Sequence, residues 1–485
     1  MEEDRASPPA PTQWQQEIIV VTHQELPSAD QAMQVLKRLA QSGMLALPPV
    51  ALPDLHLKPT LETPSSTATA THDTLILGLT SPSPNCGMAM IATSLGEQDL
   101  NDARLDSLFQ HLSAALDPDG RTPAIDDTTL DKVLLHGAEA WVKRMEWESQ
   151  VVDTWAIQDH GRAFSTAQVA SDRAEILASV PRGFRQLAQR EFGLIGRGNH
   201  FLEVQVIDKV LDEPRMNAWG LSRGQVMVMF HADSGHLGAI AGRLFAHRRK
   251  NSFRGRIIEW RVKVPYHLLS GGFLRFLPRR LRYFFPYRWA PIEANSSEGQ
   301  RCLRVLGAAA NYAFAGRQAV LETLGRVLGR VWGTVADQPR LVYDAPHNGI
   351  WREQVGSQSY WVHRHNAVRV IPPSRLPAAN PYADMGHPVL LPGTERTSSY
   401  LCASSEGAAG SLHSAGHGSA SAVRALGHKL HDPSRFTRVY AYGSSRSTPT
   451  HHLDDSGVKA VLQALSDHDI VRPVARLRPV AVLKG

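Results

Sequence analysis

Five positions pair side chains able to bind a metal or attack phosphorus with surroundings that favour a site: Cys86, His200, His231, His347 and His413. Each sits in a Gly-, Asn- or Ser-rich stretch beside an apolar, strand-like run: NCGM, GRGNHFLEV, MFHADSG, DAPHNG and SLHSAG. Loops at strand ends are where sites are assembled. A thiolate grouped with imidazoles is a borderline-soft donor set suited to zinc- or manganese-type ions. Taken singly, each residue has a plainer reading. A lone cysteine is more often a small buried hydrophobe, and any one of 22 histidines more often belongs to the core or the surface. Joint occurrence is what favours a metal site.

The elements that must position these groups follow from pattern. Gly196 and Gly198 free the backbone before Asn199 and His200, and the alternating run from Phe201 onward reads as a strand. Glu203 follows His200 by three residues, which places a carboxylate near the same pocket. Glu17–Thr22 reads as a strand and about 28–41 as a helix; 47–59 reads as extended chain carrying Asp54 and His56, and the polar run 60–73 as a loop. Leu75–Leu79 and Met88–Thr93 read as strands around Cys86, with helices over about 101–115, 127–149, 166–179, 236–256 and 297–330. Strand, turn and strand are expected over 386–401, and 403–422 has a linker-like composition apart from His413 and His417. No repeat and no composition shift divides the chain. The expectation is an α+β fold, one large domain over 17–485 behind a disordered tail of residues 1–16.

Composition narrows the class. The chain has 485 residues, 42% apolar and 20% charged, with a formal net charge of +6, which permits an acidic partner such as RNA without requiring one. Three cysteines argue against a disulfide framework and for a reducing compartment. No apolar run is long enough to span a membrane, and the acidic, Pro-rich start differs from a signal peptide, so the expected location is the cytoplasm. The stretch 274–289, LRFLPRRLRYFFPYRW, interleaves arginines with aromatics, as single-stranded nucleic-acid grips do; a buried aromatic segment with a basic edge is the other reading.

These segments in this order, together with the closing LRPVAVLKG, resemble the RtcB family of GTP-dependent RNA-splicing ligases. The resemblance covers roughly 45–93 and 190–485. It implies strands and helices around a central metal and nucleotide pocket, with manganese (one or two ions) and GTP as cofactors. Cys86 would bridge the ions, one completed by His231 and His347, the other by His200 and an aspartate three residues before the cysteine, where this chain has Ser83. His413 would attack the α-phosphate of GTP and carry GMP, with Asp54 also at the active site. Asn199, Glu203, Asn348, Thr394 and Lys484 would line the nucleotide pocket, with about His452 where the family stacks a tyrosine on the base. The implied substrates are RNA ends bearing a 2′,3′-cyclic phosphate or 3′-phosphate and a 5′-hydroxyl, with room for an activating protein partner. Three departures stand out: His417 replaces a phosphate-holding arginine, Asp233 a glycine and Gly235 an arginine. Arg364 and Arg369 remain as candidate phosphate ligands. These losses keep two other readings open, a non-catalytic RNA-binding relative and a metal-dependent phosphodiesterase that does not use GTP.

Overall fold

The computed structural model describes residues 17–485 apart from 59–60, 118–123, 145–153, 248–252, 269–276, 279, 286–288, 334–338, 431 and 445. The expected tail 1–16, parts of the helices expected over 127–149 and 236–256, and Arg275, Phe276, Arg279, Tyr287 and Arg288 of the basic–aromatic stretch lie outside the described residues.

The fold is α+β, with two principal sheets among the described residues. The larger has the strand order Pro388–Leu391, Ser399–Ser404, Val471–Lys484, Phe201–Val210, Gln225–Ala232, Gly87–Gly96, Arg340–Pro346, and Phe436–Ala441 joins it alongside Val471–Lys484. Alternation along its central strands sorts two cores. Val226, Val228 and Phe230, with Ala89, Ile91, Leu202 and Val204, pack under the long helix Ser297–Trp332 through Phe314, Val320 and Leu324. Met227 and Met229, with Met88 and Met90, face the opposite side against Trp219 and Tyr382. The long helix starts where the Ser296 hydroxyl accepts the Gly299 N–H at 3.1 Å, and it ends at Gly333, which has φ +67°.

The second sheet runs Ile19–Val20, Val50–His56, Ser65–Thr71, Gln358–His365, Asn348–Val355. Its central strand corrects the loop expected over 60–73: all seven residues of Ser65–Thr71 are buried. Thr67, Thr69 and Thr71 are β-branched, and Ala68 and Ala70 are small enough to lie between two neighbours. Leu75–Leu79 is likewise not a strand throughout, since Leu77–Leu79 forms a 3-10 turn after the short strand Thr74–Leu75. The helix expected over 127–149 breaks at Gly137 (φ +61°) into Asp127–His136 and Ala138–Val142. The one expected over 236–256 ends at Leu244, and Phe253–Leu268 is a separate helix. Residues 403–422 are not a linker: a 3-10 turn, the strand Ser414–Gly416 and the start of helix Ala420–Leu426 occupy them, largely buried.

Two buried polar joints tie the long helix to the site. Arg317 and Asp344 are both 0% exposed and bond at 2.6 Å, and Gln318 donates to the same carboxylate at 2.8 Å. Arg317 also donates to the Asn85 carbonyl at 2.9 Å, so the helix holds the turn that presents Cys86. Near the helix start, Arg280 is buried on Glu298 and donates to the His267 carbonyl at 2.7 Å. Tyr283 is buried beside it, so the described half of the basic–aromatic stretch supports the packing reading at these two residues. No helix among the described residues is long and apolar enough to cross a membrane.

Candidate metal centre and nucleophile loop

Register assembles the site. Gly87 pairs with Ala232 on one side and Pro346 on the other, and Phe201 pairs with His231. Cys86, His200, His231 and His347 therefore emerge at one end of four adjacent strands. Gly87 is required there, because a Cβ would lie 2.7 Å from the Ala345 carbonyl oxygen and 2.9 Å from the Pro346 Cα. The backbone N–H of His347 donates to the Cys86 carbonyl at 2.9 Å, and that of Asn85 donates to the Asn348 carbonyl at 2.9 Å.

The ligand atoms of Cys86, His200 and His231 lie within 4.8 Å of one another, and so do those of His231, His347 and His417. Cys86 Sγ is 3.0 Å from His231 Nε2 and 3.6 Å from His200 Nε2. The Asn199 carbonyl takes His231 Nδ1–H at 3.0 Å, which leaves His231 Nε2 with the lone pair aimed at the cluster. Burial, with neighbouring positive charge, holds His231 and His347 well below the ordinary imidazole range and His417 down to about 3. Burial, with the Asp233 charge adding, pushes the Cys86 thiol well up. Neutral imidazoles are the ligating form, and a bound cation would favour the thiolate. The Nδ1 atoms of His200, His347 and His417 are buried without a hydrogen-bond partner. Donor set and orphaned nitrogens together fit a divalent cation. Asp233 Oδ2 stands 3.7 Å from His200 Nε2. A carboxylate thus reaches the His200 side of the cluster.

A short ladder joins this cluster to His413. The Ala367 N–H donates to the His347 carbonyl at 2.9 Å, Ala367–Arg369 pairs with Ser414–Gly416, and the His417 N–H donates to the Asn366 carbonyl at 3.1 Å. His413 and Leu412 have φ +50° and +52°, a left-handed kink held from behind by Arg364. That guanidinium donates to the carbonyls of Leu412 and His413, each at 3.0 Å, and to Ser414 Oγ at 2.8 Å. Both Arg364 terminal nitrogens also bond the Glu353 carboxylate. Arg364 is thus a buried scaffold for the loop, which corrects its expected role as a phosphate ligand. Arg369 is shared between Asp159 and Glu353.

Glu353 Oε2 lies 3.8 Å from His413 Nδ1, and Arg375 Nη1 lies 3.1 Å from His413 Nε2. Burial would raise the Glu353 carboxyl, but the Arg364 charge and its hydrogen bonds outweigh that, with His413 and Arg369 helping, and hold it well below its ordinary range. The Arg375 guanidinium can only donate, so at 3.1 Å it sets the tautomer with the lone pair on Nε2 and Nδ1–H toward Glu353. Glu353 and Arg375 were missed in the sequence. Alternation in NGIWREQV gave the available signal for Glu353, since it shares a strand face with Trp351.

The other expected site residues are placed as follows. Asp54 (φ +63°) accepts the Ala422 N–H at 2.8 Å, fastening the helix that follows the His413 loop, and burial raises its carboxyl to about 6. The Asn199 side chain is exposed, while its carbonyl orients His231. The Asn348 side-chain oxygen accepts the Asn366 N–H at 2.9 Å. Glu203 is 2% exposed, bonded to Gln205 at 2.5 Å, and burial raises it to about 8. Lys484 pairs with Glu395 at 3.6 Å, and Thr394 Oγ1 accepts the Arg396 N–H at 3.2 Å. His452 is not an open stacking face: it is 6% exposed, with its Nε2 2.9 Å from Thr437 Oγ1. Asn85 also lines a cavity of about 690 Å³ whose walls include Trp351, Trp361, Arg352 and Arg369.

Residues 36–485 match the family model described as tRNA-splicing ligase RtcB. The chain is similar to the tRNA-splicing ligase RtcB of Pyrococcus furiosus, 30% identical over 427 residues, which cover 83% of this chain and 40% of that protein. It is 29% identical over 426 residues to the one of Pyrococcus abyssi, covering 83% and 42%. It is 29% identical over 430 residues to that of Aeropyrum pernix, covering 83% and 80%. The chain therefore spans less than half the length of the two Pyrococcus relatives.

Proposed function

We propose, from the premise that this chain belongs to the tRNA-splicing ligase RtcB family, that it is an RNA ligase. It joins a 3′-phosphate or 2′,3′-cyclic phosphate end to a 5′-hydroxyl end, using GTP and divalent metal, manganese by resemblance. The observation that carries this reading is the seating of His413: Glu353 at Nδ1, Arg375 at Nε2, on a loop laddered to the Cys86–His cluster.

Cys86, His200, His231 and His347 would hold the cation, which when bound supplies charge neutralisation for a triphosphate and its leaving pyrophosphate. Once Arg375 gives up its hydrogen bond to Nε2, His413 Nε2 attacks the α-phosphorus of GTP as the bond to pyrophosphate breaks. The Nδ1–H faces Glu353, whose negative charge offsets the positive charge the ring acquires as a phosphoramidate. Water opens a 2′,3′-cyclic end at its P–O2′ bond to give a 3′-phosphate; an oxygen of that phosphate then takes the GMP and frees His413, and the 5′-hydroxyl displaces GMP to form the phosphodiester. Glu203, Lys484 and Thr394 would contact the base. The aromatic and arginine-lined cavity beside Asn85 has the composition that holds single-stranded RNA.

A second reading, a metal-dependent phosphodiesterase that does not use GTP, is favoured by the closure of the base pocket: Glu203 and His452 are both buried on protein partners. Incubation of an RNA with cyclic-phosphate and 5′-hydroxyl ends, with Mn²⁺ and with or without GTP, separates the two. Joined RNA that depends on GTP supports ligation. Ring opening of the cyclic phosphate alone, unaffected by GTP, overturns it in favour of the second reading.

A further inference from the structure

His417 stands where the family pattern has an arginine, and its ring packs among those of His347 and His231. Its ring lies flat against that of His347, centroids 3.7 Å apart and planes 3° apart, so one of the two rings must turn out of the stack for both lone pairs to meet one ion; His231 completes a triangle at 4.9 Å from His347 and 5.9 Å from His417. One ligand nitrogen from each of the three falls within 4.8 Å of the others. Its backbone is fixed by the bond to Asn366 and by the strand Ser414–Gly416 immediately before it. Two of these imidazoles have a buried Nδ1 with no hydrogen-bond partner. Leaving buried polar atoms unmatched costs stability, a penalty that coordination through those Nδ1 atoms would offset.

We propose that His417 is a metal ligand, so that His231, His347 and His417 form a three-imidazole cation site adjoining the Cys86 thiol. The substitution exchanges a phosphate-holding guanidinium for a donor to the metal itself. An imidazole-rich set of this kind favours zinc- and cobalt-class ions over manganese, whose preference is for oxygen ligands. The inference rests on the metal-dependent reading of the same cluster and adds a ligand to it.

The test uses the full chain, stripped with chelator and reloaded with Co²⁺, read by elemental analysis, Co²⁺ titration and visible absorption. His417→Ala is expected to weaken Co²⁺ binding at least roughly tenfold and to change the ligand-field bands, while the sulfur-to-cobalt band of Cys86 persists. His417→Arg, which restores the family residue, is expected to weaken Co²⁺ binding similarly. Thermal melts of the metal-free proteins check folding: His417→Ala should still show a cooperative transition. Unaltered Co²⁺ affinity, stoichiometry and bands in His417→Ala would overturn the assignment of His417 alone, with the metal centre standing. Failure of the parent chain to bind Co²⁺, Zn²⁺ or Mn²⁺ would overturn both the centre and this ligand.

Discussion

Glu203→Gln probes, by pH, the buried carboxyl of the proposed nucleotide pocket. The wild-type carboxyl is buried at 2% exposure, and burial raises it from 4.5 to about 8. Below pH 4.5 both folded and unfolded chains carry this proton, and its contribution to stability is complete. Between 4.5 and 8 the folded chain retains a proton that the unfolded chain has released, so stability falls as pH rises, by up to about 1.4 kcal/mol per pH unit. Above 8 both are ionised and the contribution is gone. Glutamine has the same shape and does not titrate. Urea unfolding at half-unit steps from pH 5 to 8 should therefore show wild type losing roughly 3–4 kcal/mol relative to Glu203→Gln across that window. Other titrating groups cancel in the difference. Parallel stability profiles for the two proteins would refute the reasoning, because they would mean the carboxyl ionises at its ordinary pH while buried.

Three further outcomes follow from the packing around the cluster. Asp344→Ala leaves Arg317 buried without its counter-charge and should cost about 3–5 kcal/mol in urea unfolding, and pairing it with Arg317→Met should recover most of that loss. Gly87→Ala drives a Cβ into the Ala345 carbonyl, so it should cost about 1–3 kcal/mol and lower metal content by elemental analysis, since the same strand pair positions Cys86 and His347. Glu353→Gln removes the negative charge shared by Arg364 and His413; it should abolish guanylate transfer to His413 while metal content persists.

Much of the site was readable because its chemistry sits at strand ends, where a glycine or asparagine beside an apolar run marks both the turn and the residue it presents. Cys86, His200, His231 and His347 converge for that reason. The parts that were not legible depend on partners far away in the chain. Ser65–Thr71 has loop-like composition and becomes a central strand only because Val50–His56 and Gln358–His365 flank it. Arg280 and Arg364 look like surface cations until the fold brings Glu298 and, across a hairpin, Glu353 against them. His417 read as a lost arginine, and its nearness to His231 and His347 comes from a strand pairing that no local pattern encodes. The polar lining of 403–422 reads as linker because its burial is set by the ladder with Ala367–Arg369.

His413, oriented by Glu353 and laddered to the Cys86–histidine cluster, is the proposed nucleophile. Its most direct test is incubation of the full chain with α-labelled GTP and Mn²⁺, Zn²⁺ or Co²⁺, followed by denaturing electrophoresis. The account predicts an acid-labile, protein-bound label that is absent from His413→Ala, although that variant keeps its metal, and that is lost in Cys86→Ala along with metal. An equal label in His413→Ala, or no label with any of the three ions, would contradict it.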